Sequence, residues 1–194
     1  SGRSATGYRG VRRERRRFRA EYAGGGGTAN RGVVDVTNTG TATFASAIGT
    51  INALRQLNIG ITGQAGSAVF TSEVQADAIT VLATAGDSTA DFNSNVEVGA
   101  TDFIIDGGDT SGEDAAVTIA GNVTVVNAGD DILLDDNNGT ATLTFDGTTA
   151  QTVAAEISGV TGGTLEGTLV INNPAGVTFS ALIGVGATGT ELEA

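Results

Sequence analysis

Short runs that alternate apolar and polar residues are the feature that most constrains the fold of this chain. Examples are Ala141–Phe145 (ATLTF), Val123–Val125 (VTV) and Val177–Phe179 (VTF). A period of two places one face of each run in a core and the other in water, which is typical of half-buried β-strands. Dipeptides such as Asn138-Gly139 separate the runs and are typical of tight turns. The sequence therefore predicts an all-β chain.

The composition limits how these strands pack. Small aliphatic residues and Thr dominate, and the 194 residues include only seven Phe, two Tyr and one Pro. Small β-branched side chains suit stacked, pleated sheets better than a helical core. The chain has no Cys, so it forms neither disulfides nor thiolate metal sites.

An internal repeat organises the chain. Residues 32–49 read GVVDVTNTGTATFASAIG, and residues 167–184 read GTLVINNPAGVTFSALIG. The identical pairs are Gly32/Gly167, Asn38/Asn173, Thr43/Thr178, Phe44/Phe179, Ile48/Ile183 and Gly49/Gly184. The wide separation of the two copies indicates a long module that begins again at Gly167, so we expect this chain to be a piece of an array or a processed precursor. The alternative is chance similarity between two low-complexity β segments.

Two segments together carry a family resemblance. Residues 141–159 read ATLTFDGTTAQTVAAEISG, and the second repeat follows at residues 167–184. They resemble the strand repeats of large bacterial surface proteins, among them autotransporter passengers, rickettsial-type outer-membrane surface antigens and surface-layer-like repeats. The resemblance implies an extended extracellular β architecture, commonly a β-solenoid, used for adhesion, surface coating or fibre formation. It carries over no catalytic residue.

The predicted fold is a parallel β-solenoid (β-helix) with about eight rungs of about 20 residues each, where a rung is one full turn of the chain. The residues expected to point inward are Val34, Val36, Phe44, Val69, Phe92, Ile119, Val125, Leu143, Phe145, Ile171 and Phe179. The alternative is a Greek-key β-sandwich, with hairpins at Asn138-Gly139 and Asp146-Gly147. Apolar residues recurring every three positions also predict a short helix within residues 45–57, and residues 149–157 are a weaker helix candidate.

The charge of the chain is divided between two parts. Residues 1–22 hold eight Arg and two acids, a net charge of +6, whereas residues 28–194 hold two Arg and twenty acids, a net charge of −18. Residues 24–27 are all Gly, which suggests a hinge. We therefore expect an Arg-rich arm with its hinge at residues 1–27 and an acidic repeat-containing β domain at residues 28–194.

The opposite charges predict self-association, with the arm of one copy docking on the acidic body of another. The arm residues expected to act are Arg12, Arg13, Arg15, Arg16, Arg17 and Arg19. The alternatives are a solvated, flexible arm and an arm that binds phosphate. The acidic body itself is not expected to bind nucleic acid.

Most catalytic machinery is missing, because Lys, His and Cys are all absent. Carboxylate pairs leave a polysaccharide-acting β-helix enzyme as the least favoured hypothesis. Calcium is a better use of the acids, and no other cofactor is expected. One candidate cluster comprises Asp130, Asp131, Asp135, Asp136 and Asn137, which converge if residues 132–134 form a short strand; the other comprises Asp106, Asp109, Glu113 and Asp114. The alternative is that these are solvated turn acids.

The sequence thus predicts a non-enzymatic structural subunit of a bacterial extracellular assembly, such as a surface layer, fibre or adhesin, whose partners are other copies of itself. The alternative is an adhesin-type module that binds host or carbohydrate ligands, including cell-surface glycans. The expected location is the bacterial cell surface. No apolar run is long enough to span a bilayer as a helix.

Overall fold

A computed structural model describes residues 32–160 and 167–184, and within them the chain is all-β with no helix. In chain order the strands are β1 (Val33–Val36), β2 (Ala42–Phe44), β3 (Gln56–Ile59), β4 (Ser67–Phe70), β5 (Val74–Ala76), β6 (Ile79–Leu82), β7 (Ser88–Phe92), β8 (Val96–Val98), β9 (Phe103–Asp106), β10 (Ala115–Ile119), β11 (Val123–Val125), β12 (Asp131–Asp135), β13 (Ala141–Phe145), β14 (Gln151–Ala154), β15 (Glu156–Gly159), β16 (Thr168–Ile171) and β17 (Val177–Phe179).

The strands form three parallel sheets, and each rung contributes one strand to each sheet in turn, except that the first described rung reaches sheet C only through isolated bridges, such as that from Ile48 to Val74. Sheet A has the order β1-β3-β6-β9-β12-β15, sheet B has the order β2-β4-β7-β10-β13-β16, and sheet C has the order β5-β8-β11-β14-β17. The chain passes from A to B to C and then returns to A one layer further on, so the predicted parallel β-solenoid is confirmed. The sandwich alternative is wrong, because the strands pair in parallel and the Asn-Gly and Asp-Gly dipeptides lie at corners between sheets.

The solenoid has about five turns rather than eight. The inward column of sheet A has one member in each rung, and its members are Val34, Leu57, Ile79, Phe103, Ile132 and Ile157. The predicted rung of about 20 residues, at the low end of structural repeat lengths, was too short. The reason is that the corners are longer than tight turns. The corner between β9 and β10, for example, takes up residues 107–114.

The core is a stack of like side chains in register. Phe44, Phe70 and Phe92 lie on successive strands of sheet B, and their ring centroids are 4.9 and 4.8 Å apart with nearly parallel planes. This spacing is the distance between neighbouring strands, so the parallel register itself brings each ring onto the next. Phe103 packs edge-on against Phe92 at 6.0 Å and joins the columns of two sheets.

The predicted inward set is largely confirmed. Five of its members are buried: Val36, Phe92, Ile119, Leu143 and Phe145. Four more are partly buried against the core: Val34, Phe44, Val125 and Phe179. Val69 was placed wrongly, since it lies between the buried residues Ala68 and Phe70 and therefore faces outward. Ile171 continues the inward column of Phe145 but remains 48% exposed, because it lies on the last described strand of sheet B.

Both helix predictions were wrong. Within residues 45–57, Ile48 and Leu54 form isolated parallel bridges to Val74 and Ala76, at the edge of sheet C, while Ile51 is 91% exposed. The three-residue spacing therefore comes from a corner that returns two apolar residues to the core and turns the third outward. Residues 149–157 contain all of β14 and the start of β15 instead of a helix.

The arm residues Arg12 to Arg19 and the boundary expected at residue 27 lie outside the described residues. Within the residues described, there is no helix long and apolar enough to cross a membrane.

Candidate functional site

The first acidic cluster is divided by a strand. Strand β12 begins at Asp131 and ends at Asp135, so their Cα atoms are about 13 Å apart at the rise of an extended chain. Asp130 lies at the corner leading into sheet A, whereas Asp136 and Asn137 lie at the corner leading out toward sheet B. Asn137 has a φ of 40°, in the left-handed region that Asn tolerates. The expected convergence of these five residues does not occur.

The second cluster lies at the corner between β9 and β10, and two of its acids cap that corner's own backbone. Asp106 Oδ1 accepts a hydrogen bond from the Gly108 amide at 2.8 Å, and Glu113 Oε2 accepts one from the Thr110 amide at 3.2 Å. Asp109 is exposed beside them. In the described part of the chain, no group of three or more acidic side chains is placed to hold a metal ion. The geometry there gives the calcium prediction no support.

Asp114, the remaining member of that cluster, belongs to an arrangement that continues from rung to rung. Its amide donates to Asp87 Oδ1 of the preceding rung at 3.3 Å, and its own Oδ1 accepts from the Thr140 amide of the next rung at 3.1 Å. The Asp131 amide likewise donates to Asp102 Oδ1 of the preceding rung at 2.8 Å. We call such rows, in which a side chain caps the amide stacked on it in the next rung, corner ladders.

A third corner ladder uses Asn. The backbone amide of Asn122 donates to Asn95 Oδ1 at 2.9 Å, and the backbone amide of Thr152 donates to Asn122 Oδ1 at 2.8 Å. One ladder lies at the entry to each of the three sheets, where the chain changes direction and its amides need partners outside the sheet. Several acids that were expected either to bind calcium or to be solvated are therefore structural caps.

Sequence reasoning missed the corner ladders, although a signal for them exists. The first two members of the three ladders are 27, 27 and 29 residues apart, which is about one rung. Each of these residues also lies at or directly before the start of a strand. Asp and Asn recurring at this interval before alternating runs would have indicated both the corners and the rung length.

Asp131 also belongs to a column of like charges. It is stacked between Asp102 and Glu156, and Ser158 Oγ donates to its Oδ2 at 3.2 Å. Burial raises the pKa of Asp131 above its ordinary value of 3.8, and Glu156, Asp102 and Asp130 raise it further, while the hydrogen bond from Ser158 lowers it. The stacking of rungs therefore has an electrostatic cost at this corner.

An open groove of about 410 Å³ lies along the edge of sheet A at which strands β3, β6 and β9 begin. Its lining residues are Arg55, Gln56, Asp77, Ala78, Thr80, Ala100, Thr101, Asp102 and Ile104. The lining offers one guanidinium, two carboxylates and several neutral polar groups, but no aromatic ring on which a sugar could stack. The six Phe of the described residues instead belong to the core or pack against it.

At the two ends of the described solenoid, the outermost strands have no described strand paired on their outer sides. We call residues 32–55, with β1, β2 and Ile48, the N-terminal rung, and residues 167–184, with β16, β17 and Ile183, the C-terminal rung. Strands β1 and β2 at one end, and β16 and β17 at the other, have no further described strand on their outer sides. Such edges present backbone N–H and C=O groups that can pair with another chain.

Apolar side chains are concentrated at the same ends. Seven large apolar side chains of the described residues are exposed, and six of them lie in the terminal rungs: Val33, Ile51, Val170, Ile171, Leu182 and Ile183. Phe44 and Phe179, which terminate columns of inward side chains, are only partly buried. An open β edge with apolar side chains suits association with another β surface better than it suits chemistry on a small molecule.

The terminal rungs also contain the two copies of the sequence repeat. The shift that carries Gly32 onto Gly167 also takes β1 to β16 and β2 to β17 without any change of boundary, and it takes the bridged Ile48 to the bridged Ile183. The repeat detected in the sequence is therefore also a repeat of local structure. This agreement favours a true repeat over chance similarity.

No family model, no curated protein and no solved structure matches this chain. The resemblance to bacterial surface-protein repeats therefore stays a prediction.

Proposed function

We propose that this chain is a non-enzymatic structural subunit that associates end to end with further copies of itself in a bacterial extracellular assembly. The observation that carries the proposal is that both ends of the described solenoid combine parallel strand edges that lack a described partner with exposed apolar side chains. Contacts between different ends of identical subunits do not close on themselves unless a rotation brings them into a ring, so they build filaments. A surface layer, a fibre or an adhesin stalk would each use such a filament.

Electrostatics supports a second contact within this assembly. The described residues carry seventeen acids and one base, Arg55, which gives them a net charge of −16. The arm at residues 1–22 carries +6. At this charge difference, docking of the arm on the acidic surface of a neighbouring copy would strengthen association, and salt would weaken it.

The extracellular setting rests on the resemblance to bacterial surface-protein repeats. A fold built from stacked small residues without any Cys is compatible with that setting, because its stability comes from neighbouring rungs and not from disulfides.

Removal of residues 1–22 separates the two contacts. We expect the truncated protein to assemble more weakly than the full chain at low salt and equally at high salt, as measured by light scattering and negative-stain microscopy. A full-length control in which the six Arg from Arg12 to Arg19 are replaced by Gln distinguishes charge from length. Unchanged assembly of both variants at low salt would exclude the arm, and monomeric full-length protein under every condition would exclude the proposed function.

The groove beside Arg55 favours a second candidate function, an adhesin-type module for host or carbohydrate ligands. Its guanidinium could pair with a carboxylate or sulfate on an acidic glycan. A glycan-binding screen of monomeric protein, repeated with Arg55→Ala, tests this alternative. Binding that disappears in the variant would favour it over the structural role.

A further inference from the structure

We propose that each added copy docks on the C-terminal rung of the preceding copy after rotation by one face of the solenoid, so that sheet A of the incoming copy continues sheet B of the copy below. The occupant of the open end is thus a second copy of this chain in one defined register. This inference rests on the proposed end-to-end assembly and adds the geometry of its contact.

The first support is the face on which each copy of the repeat lies. In the N-terminal rung, β1 lies in sheet A, β2 lies in sheet B, and Ile48 bridges to Val74 of sheet C. In the C-terminal rung, β16 lies in sheet B, β17 lies in sheet C, and Ile183 bridges to Ile157 of sheet A. The same local structure therefore occurs at both ends but shifted by one face. From one copy of the repeat to the next, the chain completes five turns and continues for one further face.

The second support is the shape of the two ends. A solenoid rises by one strand layer per rung, so each of its ends is a ramp with a step where the ramp begins. The described ramp ends with Ile183 in sheet A, and the backbone of Ile157 is already bonded there to Leu182 and Gly184. The ramp at the other end begins with β1 in sheet A. All three faces of two copies can meet at the same spacing only if β1 of the incoming copy lies on the face that follows Ile183 of the copy below, which is sheet B.

Among the three possible registers of the described ends, only the proposed rotation brings all three faces into contact together. With sheet A of the incoming copy on sheet B, all three faces meet at one strand spacing. Without rotation, β1 of the incoming copy rests on residues 182–184 and holds the other two faces apart by an additional layer, about 4.8 Å. Rotation in the opposite direction leaves one face apart by the same amount. An additional gap would leave apolar side chains and backbone groups without partners.

The third support is the identity of the residues that meet. In the rotated register, Asn38, Phe44 and Ile48 of the incoming copy lie over Asn173, Phe179 and Ile183 of the copy below, with which they correspond in the repeat. Stacking of like residues is already how the molecule is built, since Phe44 and Phe70 lie ring on ring at 4.9 Å. Without rotation, Phe44 would instead lie over Ile171.

The proposed contact has measurable symmetry. Each copy turns by one of the three faces, a third of a full rotation, so every third copy has the same orientation. The distance from β1 of one copy to β1 of the next is six and a third strand layers, about 30 Å. Images of filaments of the unaltered protein would therefore show a rise of about 30 Å and a true repeat of about 90 Å.

Cysteine cross-linking tests the register, because the chain has no Cys of its own. Thr43, Thr178 and Val170 are all exposed, and they lie on β2 in sheet B, on β17 in sheet C and on β16 in sheet B. A chain with T43C and T178C places its thiols on adjacent strands of neighbouring copies in the rotated register. In the unrotated register, a chain with T43C and V170C instead places its thiols on facing strands of sheet B that are two strand spacings apart, about 10 Å.

With a bifunctional thiol reagent that spans about 10 Å, two strand layers, we expect covalent ladders from T43C/T178C at least ten times more abundant than those from T43C/V170C. The T43C single variant is the control for contacts between two N-terminal ends. More product from T43C/V170C, or none from either pair while light scattering shows normal assembly, would overturn the register but not the proposed function. If the cysteine chains do not assemble, the rise and rotation in filaments of the unaltered protein decide, and a rotation of zero refutes the register. Absence of any assembly by the unaltered protein would refute the proposed function as well.

Discussion

The interior rungs and the terminal rungs follow the same sequence pattern but differ in what lies on either side of them. Phe145 is completely buried, whereas Ile171, the next residue of the same inward column, is 48% exposed. Phe70 and Phe92 are 1% exposed, whereas Phe44, at the end of their stack, is only partly buried. Burial in a solenoid is thus decided by the neighbouring rungs, and its stability is the sum of contacts between adjacent rungs.

The comparison also concerns polar groups. The backbone N–H of Asn122, in an interior rung, donates a hydrogen bond to the preceding rung, and its side-chain Oδ1 accepts one from the next rung. Asn38, in the N-terminal rung, exchanges two hydrogen bonds with the backbone of Ser67 in the following rung. A terminal rung therefore has its partners on one side within the described chain. A copy docked on it would supply the second side.

The largest difference in stability between interior and terminal rungs is expected in the aromatic stack of sheet B. Phe70→Ala removes a ring packed on both sides and should reduce the free energy of unfolding by about 3–5 kcal/mol. Phe44→Ala removes the terminal ring of the same stack and should cost about half as much or less in the monomer, because it loses a contact on one side only. Denaturant unfolding of dispersed protein measures both values.

The same pair should reverse its order in assembly. Phe44→Ala is expected to weaken end-to-end association while leaving a folded monomer, whereas Phe70→Ala should act through folding. If the two variants lose equal stability as monomers, then Phe44 is covered within a single chain and the N-terminal rung is not an open end.

Three glycines with similar backbone conformations should give intermediate losses of stability that depend on the rung in which each lies. Gly49 in the N-terminal rung and Gly108 in an interior rung have nearly the same φ, 76° and 75°, and a Cβ on either would lie within 2 Å of a carbonyl oxygen of an adjacent rung. Gly112 has a φ of 87° but open space around it. Gly112→Ala therefore isolates the backbone strain, about 1–2 kcal/mol.

Gly108→Ala should cost about 1–3 kcal/mol more than Gly112→Ala, because it forces two interior rungs apart. Gly49→Ala should fall between the two, since a terminal rung can lift without separating others. Thermal or denaturant unfolding of the three variants gives the order. Equal losses for Gly49→Ala and Gly108→Ala would show that the N-terminal rung is held as firmly as the interior.

The fold was predictable from the sequence because its main determinant is local. The alternation in Ala141–Phe145 and similar runs requires a half-buried strand in any β fold, and the repeat at residues 32–49 and 167–184 is visible without alignment to other chains. Val69 shows the limit of this reasoning. It occupies an outward position because Ala68 and Phe70 take the inward ones, and a run of three apolar residues does not by itself show which of them face the core.

The corners and the candidate ends were less predictable because they depend on contacts between residues one rung apart. Local spacing suggested a helix at residues 45–57, but Ile48 and Leu54 form parallel bridges to Val74 and Ala76 of the next rung. Asp114 was grouped with its neighbours in sequence as a calcium ligand, although its hydrogen bonds run to residues 26 and 27 positions away. Rung length fixes such contacts, and a predicted rung of about 20 residues could not bring them together.

The smallest expected effect concerns the like charges that stacking brings together in the interior. Asp131 is stacked between Asp102 and Glu156, and its pKa is raised from 3.8 chiefly by burial and then by these neighbours. A carboxyl with a raised pKa binds more protons in the folded than in the unfolded state, so stability is lost as the pH rises from about 4 through the folded pKa. Asp131→Asn should therefore stabilise the protein at neutral pH by about 0.2–1 kcal/mol, the usual size of a cross-strand charge pair.

This gain should vanish as the pH falls below 3.8, because Asp131 is then neutral in both states. Asn retains an acceptor for the Ser158 hydroxyl, so the substitution changes charge with little change in hydrogen bonding.

Asp91→Asn is the matched control, since the cross-strand neighbours of Asp91 are Val69 and Thr118 and its removal relieves no pair of like charges. Unfolding measured from pH 3 to pH 8 compares the two variants. A gain for Asp131→Asn that is independent of pH, or an equal gain for Asp91→Asn, would mean that interior stacking carries no charge penalty at this corner. The interior rungs would then differ from the terminal rungs in packing and hydrogen bonding but not in charge.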